Sequence, residues 1–301
     1  MRIREERRFK RAFKGAVYFD RLLKDHTTFK IGGAVRVWIE PRSADDLKRA
    51  LEICYEAGIK PFLIGRGSNL LVFDGRVDRA VIRLSAPCFK KVKFSGSYAI
   101  CGGGLSLSAF IKRCIDSGLS GPERFAGIPG TVGGAVMMNA GTARDGICDL
   151  LAWIKVIDRR GRASVITREG LKLGYRDSGL SGSIILEAAF KLKKRERKAL
   201  RREFKGRLKE KVKRQDYTAP NAGSIFKNPK GYKYTSGQML EMSGLKGLRV
   251  GGAEISNKHA NFIINTDGAT FADVRTLMRK AKRAVKKNFG VSLQAEVKIL
   301  K

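Results

Sequence analysis

The run FAGIPGTVGGAVMMNAG, residues 125–141, constrains the fold more than any other stretch. Gly127, Gly130, Gly133, Gly134 and Gly141 interrupt apolar residues there. Glycine gives up more backbone entropy on folding than any other residue, so a dense set within apolar sequence is costly. That cost is understandable where backbone must lie flat against something. For Gly133 and Gly134 the partner can be a closely packed helix, and the sequence alone leaves both accounts open.

The flanking patterns predict mixed helices and strands. SADDLKRALEICYEAG reads as a helix with Ser43 as N-cap and Asp46 at the capping-box position. Leu47, Ala50, Leu51 and Cys54 follow helical spacing, and Gly58 supplies the stop. KPFLIGRGSNLLVFDGRVDRAVIRLS predicts strands at 62–64, 70–73 and 80–84, with a tight loop at 65–69 and an Asp-Gly turn at 74–75. A strand at YAICGG, a helix at LSAFIKRCIDSG and two or three strands ending near EAAFKLK follow. The C-terminal part predicts a helix at SGQMLEMSG and strands around LRVGGAEIS and HANFIIN. After these comes a helix with the apolar stripe Val274, Leu277, Met278, Ala281 and Val285, then a final strand, AEVKIL. The order lacks the regular alternation of a doubly wound sheet, and no internal repeat interrupts it.

With 62 Lys+Arg against 28 Asp+Glu, the chain of 301 residues carries a net charge of +34. Such a field attracts anions, whether nucleic acid, anionic lipid or phosphorylated small molecules. The charge sits in three blocks: the first fifteen residues, residues 191–214, and the late helix, where it occupies the face opposite the apolar stripe. No aromatic RNA-binding signature, zinc finger or helix-turn-helix pattern accompanies it, so nucleic acid is not expected as the main partner. Five widely spaced cysteines, no CxxC and two histidines give no support for a metal site. Cys54 and Cys114 read as buried thiols in a reducing cytosol. The basic start is followed by no apolar stretch of a secretory leader, and no run reaches transmembrane length, so a cytoplasmic location is expected.

Two further stretches hold clustered polar groups. In GRGSN, Gly65 and Gly67 can expose backbone N–H groups while Ser68 and Asn69 add donors, which suits an anion. The third glycine of a dinucleotide fingerprint is missing, and a strand follows rather than a helix. A hairpin loop with Asn69 left-handed explains the loop equally well. NAGSIFKNP, residues 221–229, surrounds Ile225 and Phe226 with Gly223, Ser224, Lys227 and Asn228. The apolar pair can anchor the segment in a core while the polar groups point elsewhere. Alone, it also reads as a surface turn in which Asn221 and Ser224 cap backbone groups.

Taken in order, HTTFKIGG, LIGRGSNLLVFD, GIPGTVGGAVMMNAG, GYRDS, NAGSIFKNP, GLRVGGAEISNKHANFIIN and AEVKIL resemble the UDP-N-acetylenolpyruvoylglucosamine reductases (MurB), flavoenzymes of peptidoglycan precursor synthesis. The likeness spans about residues 20–301, leaving out the basic start. The short link from Ser178 to Leu186 is similar to the branch without an extra tyrosine loop. The resemblance implies an α+β fold: a vanillyl-alcohol-oxidase-type FAD-binding module of two α/β lobes, plus a C-terminal α/β substrate-binding domain. The implied limits are a basic extension at 1–18, lobe 1 at 19–85 joined by a C-terminal strand at 292–301, lobe 2 at 86–198 and the substrate domain at 199–291.

The resemblance also implies the chemistry and the residues. NADPH reduces FAD, and hydride then passes from flavin N5 to C3 of an enolpyruvyl ether carried on a UDP-sugar. Negative charge spreads from C2 into the carboxylate, and C2 must be protonated. Gly65, Arg66, Gly67, Ser68 and Asn69 would hold the FAD diphosphate. Gly127, Ile128, Pro129, Gly130, Thr131, Gly133, Gly134, Asn139, Ala140 and Gly141 would line the cofactor. Arg176 would grip the carboxylate, which a guanidinium matches bidentately; a structural pair with Asp177 is its bland alternative. Glu296, in an apolar strand, would be raised in pKa by burial and donate to the enolate while protonated. Strand alternation would put Lys298 on the same face, as a possible partner. Ser224 would protonate C2, with Lys227, Asn228 and Arg214 at the substrate. The expected state is a monomer with no metal and no membrane insertion. Two other classes compete: another FAD-dependent oxidoreductase of the same superfamily, which often binds flavin covalently through His or Cys, and a flavin-free basic nucleic-acid-binding protein.

Overall fold

Ser43 accepts a hydrogen bond from the Asp46 amide at 3.1 Å and starts helix α1, Ala44–Glu56, as the sequence predicts. Its stripe of Leu47, Ala50, Leu51 and Cys54 is fully buried against Val37, Ile39, Ala80 and Ile82. The computed structural model describes Phe9, residues 13–142 and residues 145–301. The basic extension therefore lies mostly outside the described residues.

The chain divides into two interleaved compact units. The first comprises the described part of Met1–Phe19 together with Arg36–Gly65 and Asp78–Lys209. It holds most of a four-stranded sheet in the order Ala16–Leu22, Ala34–Glu40, Val77–Ile82, Pro61–Leu63, its last pair parallel. A five-stranded antiparallel sheet follows in the order Ala163–Thr167, Leu151–Ile157, Ile184–Lys191, Tyr98–Gly102, Val92–Ser95. Helix α2, Leu107–Asp116, capped by Ser106, lays Phe110 and Cys114 on this sheet; the Phe110 ring lies 4.8 Å from Phe190. The glycine run forms the short helix α3, Val132–Met137, in the same core. Helix α4, Arg197–Arg214, carries the second basic block; Leu200 is its buried residue, and Arg197, Lys198, Arg201, Arg202 and Lys205 line a shallow basic depression.

The second unit comprises Asp20–Val35, Arg66–Val77 and Glu210–Lys301. Its antiparallel sheet runs Asn221–Ser224, Phe262–Asn265, Ala253–Ile255, Arg249–Val250. Helix α5, Ser236–Met242, and helix α6, Phe271–Phe289, cover it. In α6, Thr270 and Asp273 form a reciprocal capping box, the predicted stripe is buried, and Gly290 ends the helix with φ 69°.

Two strand expectations change. The strands around GRGSN do not pair with each other: Pro61–Leu63 pairs with Val77–Ile82, while Leu70–Val72 pairs in parallel with Lys298–Leu300. The loop is a crossing between sheets, not a hairpin, and its positive φ falls at Gly67 (63°). The final strand is also shorter than AEVKIL. Ala295 bridges antiparallel to Phe226, the chain bends at Val297, and regular pairing begins at Lys298. The segment changes partner within three residues, so simple alternation does not put Glu296 and Lys298 on one face.

Candidate functional site

In the first unit the glycine run and the Arg176 turn meet. Asn139, left-handed at φ 40°, donates from Nδ2 to the Gly174 carbonyl (3.2 Å) and accepts the Cys148 N–H on Oδ1 (3.2 Å). Ser178, fully buried, donates its hydroxyl to the Met137 carbonyl at 2.9 Å. Between these anchors Gly174 and Asp177 close a tight turn with paired backbone bonds of 2.9 and 3.2 Å. Arg176 sits in it with φ 59°, a conformation unfavourable for a residue with Cβ. Its guanidinium carbon lies 4.9 Å from the Tyr175 ring centroid. Asp177 spends Oδ1 on the Gly179 N–H at 3.0 Å, local turn chemistry.

The glycines of this unit do different work. A Cβ on Gly65 would meet Thr131 Oγ1 at 2.7 Å, and one on Gly133 would meet the Gly103 carbonyl at 2.9 Å. Gly133 thus has a packing reason. Gly134 does not: it is exposed within α3, and the nearest atom to an added Cβ is Thr131 Oγ1 at 3.4 Å. A helix-interior glycine costs about 1 kcal/mol relative to alanine. Bare backbone on an open face is what a flat ring system needs, so the residues fit FAD. Gly127 and Gly130 have φ 71° and 138° and flank half-buried Ile128 and exposed Pro129. Ala140 is half-buried, and Gly141 bridges to Gly146. Cys148, the cysteine after this run, is fully buried; its thiol donates to the Val136 carbonyl, and burial, with the Asp149 charge, pushes its pKa up to about 12. Such a thiol is a poor candidate for covalent flavin attachment.

In the second unit three distant motifs converge. Asn221–Ser224 pairs with Phe262–Asn265, Asn221 opposite Ile264 and Ser224 opposite Phe262, with a bulge between. Gly223 makes the bulge at φ 74°, where a Cβ would find open space; it is needed for conformation, not for room. Asn221 stitches the turn, its amide bonding Asp216 and Ala219 carbonyls and the Gly223 N–H. Ile225 and Phe226 are buried anchors, as the sequence predicts. The Ile225 carbonyl accepts the Glu296 N–H at 2.8 Å. The Glu296 carbonyl accepts from Asn69 Nδ2 at 3.2 Å, and the Asn69 carbonyl accepts the Lys298 N–H at 2.9 Å. Thus Asn69 of GRGSN, Glu296 and the residue after Ser224 share one network. Gly67 is packed so that a Cβ would meet the His26 carbonyl at 2.4 Å; Arg66 is exposed and Ser68 half-buried.

The substrate candidates have mixed surroundings. Lys227 is half-buried, its carbonyl accepting the Ser236 hydroxyl at 2.6 Å. Asn228 accepts the Ser236 N–H at 3.1 Å, so it helps start α5. Arg214 is exposed at the C-terminal end of α4. Nearby, Asp216 is buried; burial would raise its pKa, but hydrogen bonds from Ser256 (2.6 Å) and Thr218 and the charge of Lys258 outweigh this and hold it below the usual range. Thr28 of HTTFKIGG donates to the Asn221 carbonyl at 2.7 Å, and Asn265 donates to the Phe29 carbonyl at 3.1 Å. Sequence reasoning missed these supports and Asn261; their only signal was polar residues inside otherwise apolar, family-like segments. Among the described residues no cluster of His, Cys, Asp and Glu could hold a metal ion, and no helix is long and apolar enough to cross a membrane.

Two family models match successive parts of the chain. Residues 35–167 match an FAD binding domain, and residues 215–300 match the C-terminal domain of UDP-N-acetylenolpyruvoylglucosamine reductase. A protein of that name from Chloroherpeton thalassium is 38% identical over 295 residues, covering 96% of this chain and 94% of its own length. One from Clostridium novyi is 37% identical over 281 residues, covering 93% and 90%. A crystal structure of MurB from Thermus caldophilus superposes with a TM-score of 0.81 at 34% identity, covering 96% of this chain and 99% of that one. The expected α+β class, an FAD-binding module followed by a distinct C-terminal domain, holds.

Proposed function

The chain belongs to the UDP-N-acetylenolpyruvoylglucosamine reductase family, and from that premise we propose that it uses FAD to reduce the enolpyruvyl ether of a UDP-N-acetylglucosamine to UDP-N-acetylmuramate, with NADPH as reductant, in cytoplasmic peptidoglycan precursor synthesis. The observation that carries the proposal is the network joining Asn69, Ile225 and Glu296. It sets the expected anion loop, the expected carboxylic acid and the strand of the expected proton donor against one another.

FAD, when bound, supplies the hydride that reaches C3 of the substrate. Gly65 to Asn69 hold its diphosphate, and Gly127 to Thr131, Gly133, Gly134 and Asn139 to Gly141 line it. Arg176 binds the carboxylate into which charge spreads, since a guanidinium stays cationic and offers two parallel donors. Glu296, half-buried, donates to the enolate in its protonated form. Ser224 delivers the proton to C2; a hydroxyl is a weak acid, so this depends on close placement and a hydrogen-bonded relay. Lys227, Asn228 and Arg214 contact the substrate. The domain limits are those of the sequence reading, the enzyme is a monomer, and the short link from Ser178 to Leu186 supports the branch without the extra tyrosine loop.

The test is an anaerobic two-step experiment. Purified protein should show a flavin spectrum that NADPH bleaches and the enolpyruvyl substrate restores. In Ser224→Ala, bleaching should proceed normally while restoration slows at least about 10²-fold. Restoration at the parent rate sinks the proton-donor role; a preparation that takes up no FAD sinks the whole reading.

A further inference from the structure

Asn261 in HANFIIN has no role in the chemistry above, yet its amide engages both backbone groups of one residue. It is 4% exposed. Its Nδ2 donates to the Phe226 carbonyl at 2.8 Å, and its Oδ1 accepts the Phe226 N–H at 3.0 Å. Its own carbonyl accepts the Ile225 N–H at 2.9 Å, and its own N–H donates to His259 Nδ1 at 3.2 Å. The ladder between Asn221–Ser224 and Phe262–Asn265 reaches Ser224 opposite Phe262. One step further, the side chain of Asn261 stands where a neighbouring strand would offer its peptide group.

The opposite edge of the same residues carries Glu296. The Ile225 carbonyl accepts the Glu296 N–H, and the Lys227 N–H donates to the Gln294 carbonyl at 2.9 Å. Upstream, the bulge at Gly223 interrupts the pairing, so the pair Ser224–Phe262 continues with the segment that follows rather than with Asn221. Its direction is set from the residues that follow it. A fork with one donor and one acceptor is required: aspartate would lack the donor, and a hydrocarbon would leave two buried backbone groups unpaired.

We propose that Asn261 is a positioning residue for Ser224 and Glu296, replacing a missing strand rung so that the peptide groups on either side of Phe226 cannot rotate. The inference rests on the assignment of those two residues to proton donation and enolate stabilisation.

The experiment compares the flavin-loaded parent with Asn261→Asp. Bleaching by NADPH should match the parent. Restoration by the enolpyruvyl substrate at neutral pH should be about 10²-fold slower, the scale of a small misplacement at the reacting centre. Acidification should recover the rate, because the introduced carboxyl regains a donor on protonation. His259, on whose charge Lys246 and Glu241 act, titrates in both proteins, so the parent's pH profile is the control. Amide exchange at Ile225 to Lys227 in the loaded protein should quicken relative to the parent at neutral pH, and the ratio of variant to parent should fall towards one in acid. A purely stabilising residue would lower the melting temperature without this recovery per bound flavin. Restoration within about threefold of the parent at neutral pH, or slowing that is equal at every pH, overturns the proposal. Should Asn261→Asp fail to fold, Asn261→Ala must show both slow restoration and fast exchange at these amides; either one unchanged overturns it. If the parent's flavin is not restored by the substrate, the assigned function fails instead, while the exchange arm still decides whether Asn261 clamps the segment.

Discussion

Arg176 in the first unit and Ser224 in the second are both steadied by an asparagine, but by different means. Arg176 rides on a four-residue turn in strained backbone, with Asn139 reaching one carbonyl beside it. Ser224 leaves a bulge and enters a segment bonded on both edges, with Asn261 closing one edge through two bonds. Side-chain reach accounts for the contrast. A guanidinium on a long stem can search for a carboxylate from an imperfect base. A hydroxyl one bond from Cβ goes only where its backbone sends it.

The comparison can be broken in several places. The largest effect is expected at Ser224→Ala, a loss of at least about 10²-fold in restoration of flavin absorbance, with no change in bleaching. An equal loss in both steps would mean that Ser224 acts on more than the protonation of substrate. Next comes Asn139→Ala, which strips partners from the Gly174 carbonyl and the Cys148 N–H. Each orphaned group costs about 1–3 kcal/mol, so a lowered melting temperature and a raised KM for substrate are expected, with a milder effect on kcat than Asn261→Ala. Arg176→Gly should go the other way in stability. Relief of the left-handed conformation returns about 1–2 kcal/mol, while substrate turnover falls because the charge is gone; a melting temperature below the parent's would show that the turn is not strained.

The smallest effect concerns acid. The folded pKa of Asp216 lies below its unfolded value, so its bonds from Ser256 and Thr218 contribute stability above the ordinary aspartate range, and that contribution is lost as pH falls through the folded value. Asp216→Asn should therefore lower the melting temperature at neutral pH, and the gap to the parent should narrow in acid. A gap that is constant with pH would mean that the carboxylate charge contributes nothing to holding the end of α4 beside the Ser224 strand.

Local signals were legible where one residue's chemistry decides the outcome. Ser43 starts its helix because a side-chain oxygen satisfies an orphan N–H, and the stripe from Val274 to Val285 is buried because its spacing is helical. Ile225 and Phe226 were readable as anchors for the same reason. The hairpin alternative for GRGSN failed and the tail AEVKIL was misread in part because strand pairing is a property of the partner. Nothing within Leu70 to Val72 says that its neighbour is Lys298–Leu300. The double duty of Asn139 was equally hidden, since the Gly174 carbonyl it binds lies 35 residues away.

The sequence by itself determined the helix caps, the apolar faces, the glycine-dependent turns and, through its ordered motifs, the family. Those depend on residues within a few positions of one another, or on a pattern carried intact along the chain. Only the tertiary structure decided that Glu296 bends between two partners, that Asn69 holds it there, and that Asn261 closes the edge behind Ser224. The physical reason is that backbone N–H and C=O groups are the same at every residue. Which of them lies bare, and which side chain must cover it, is settled only when distant strands come together.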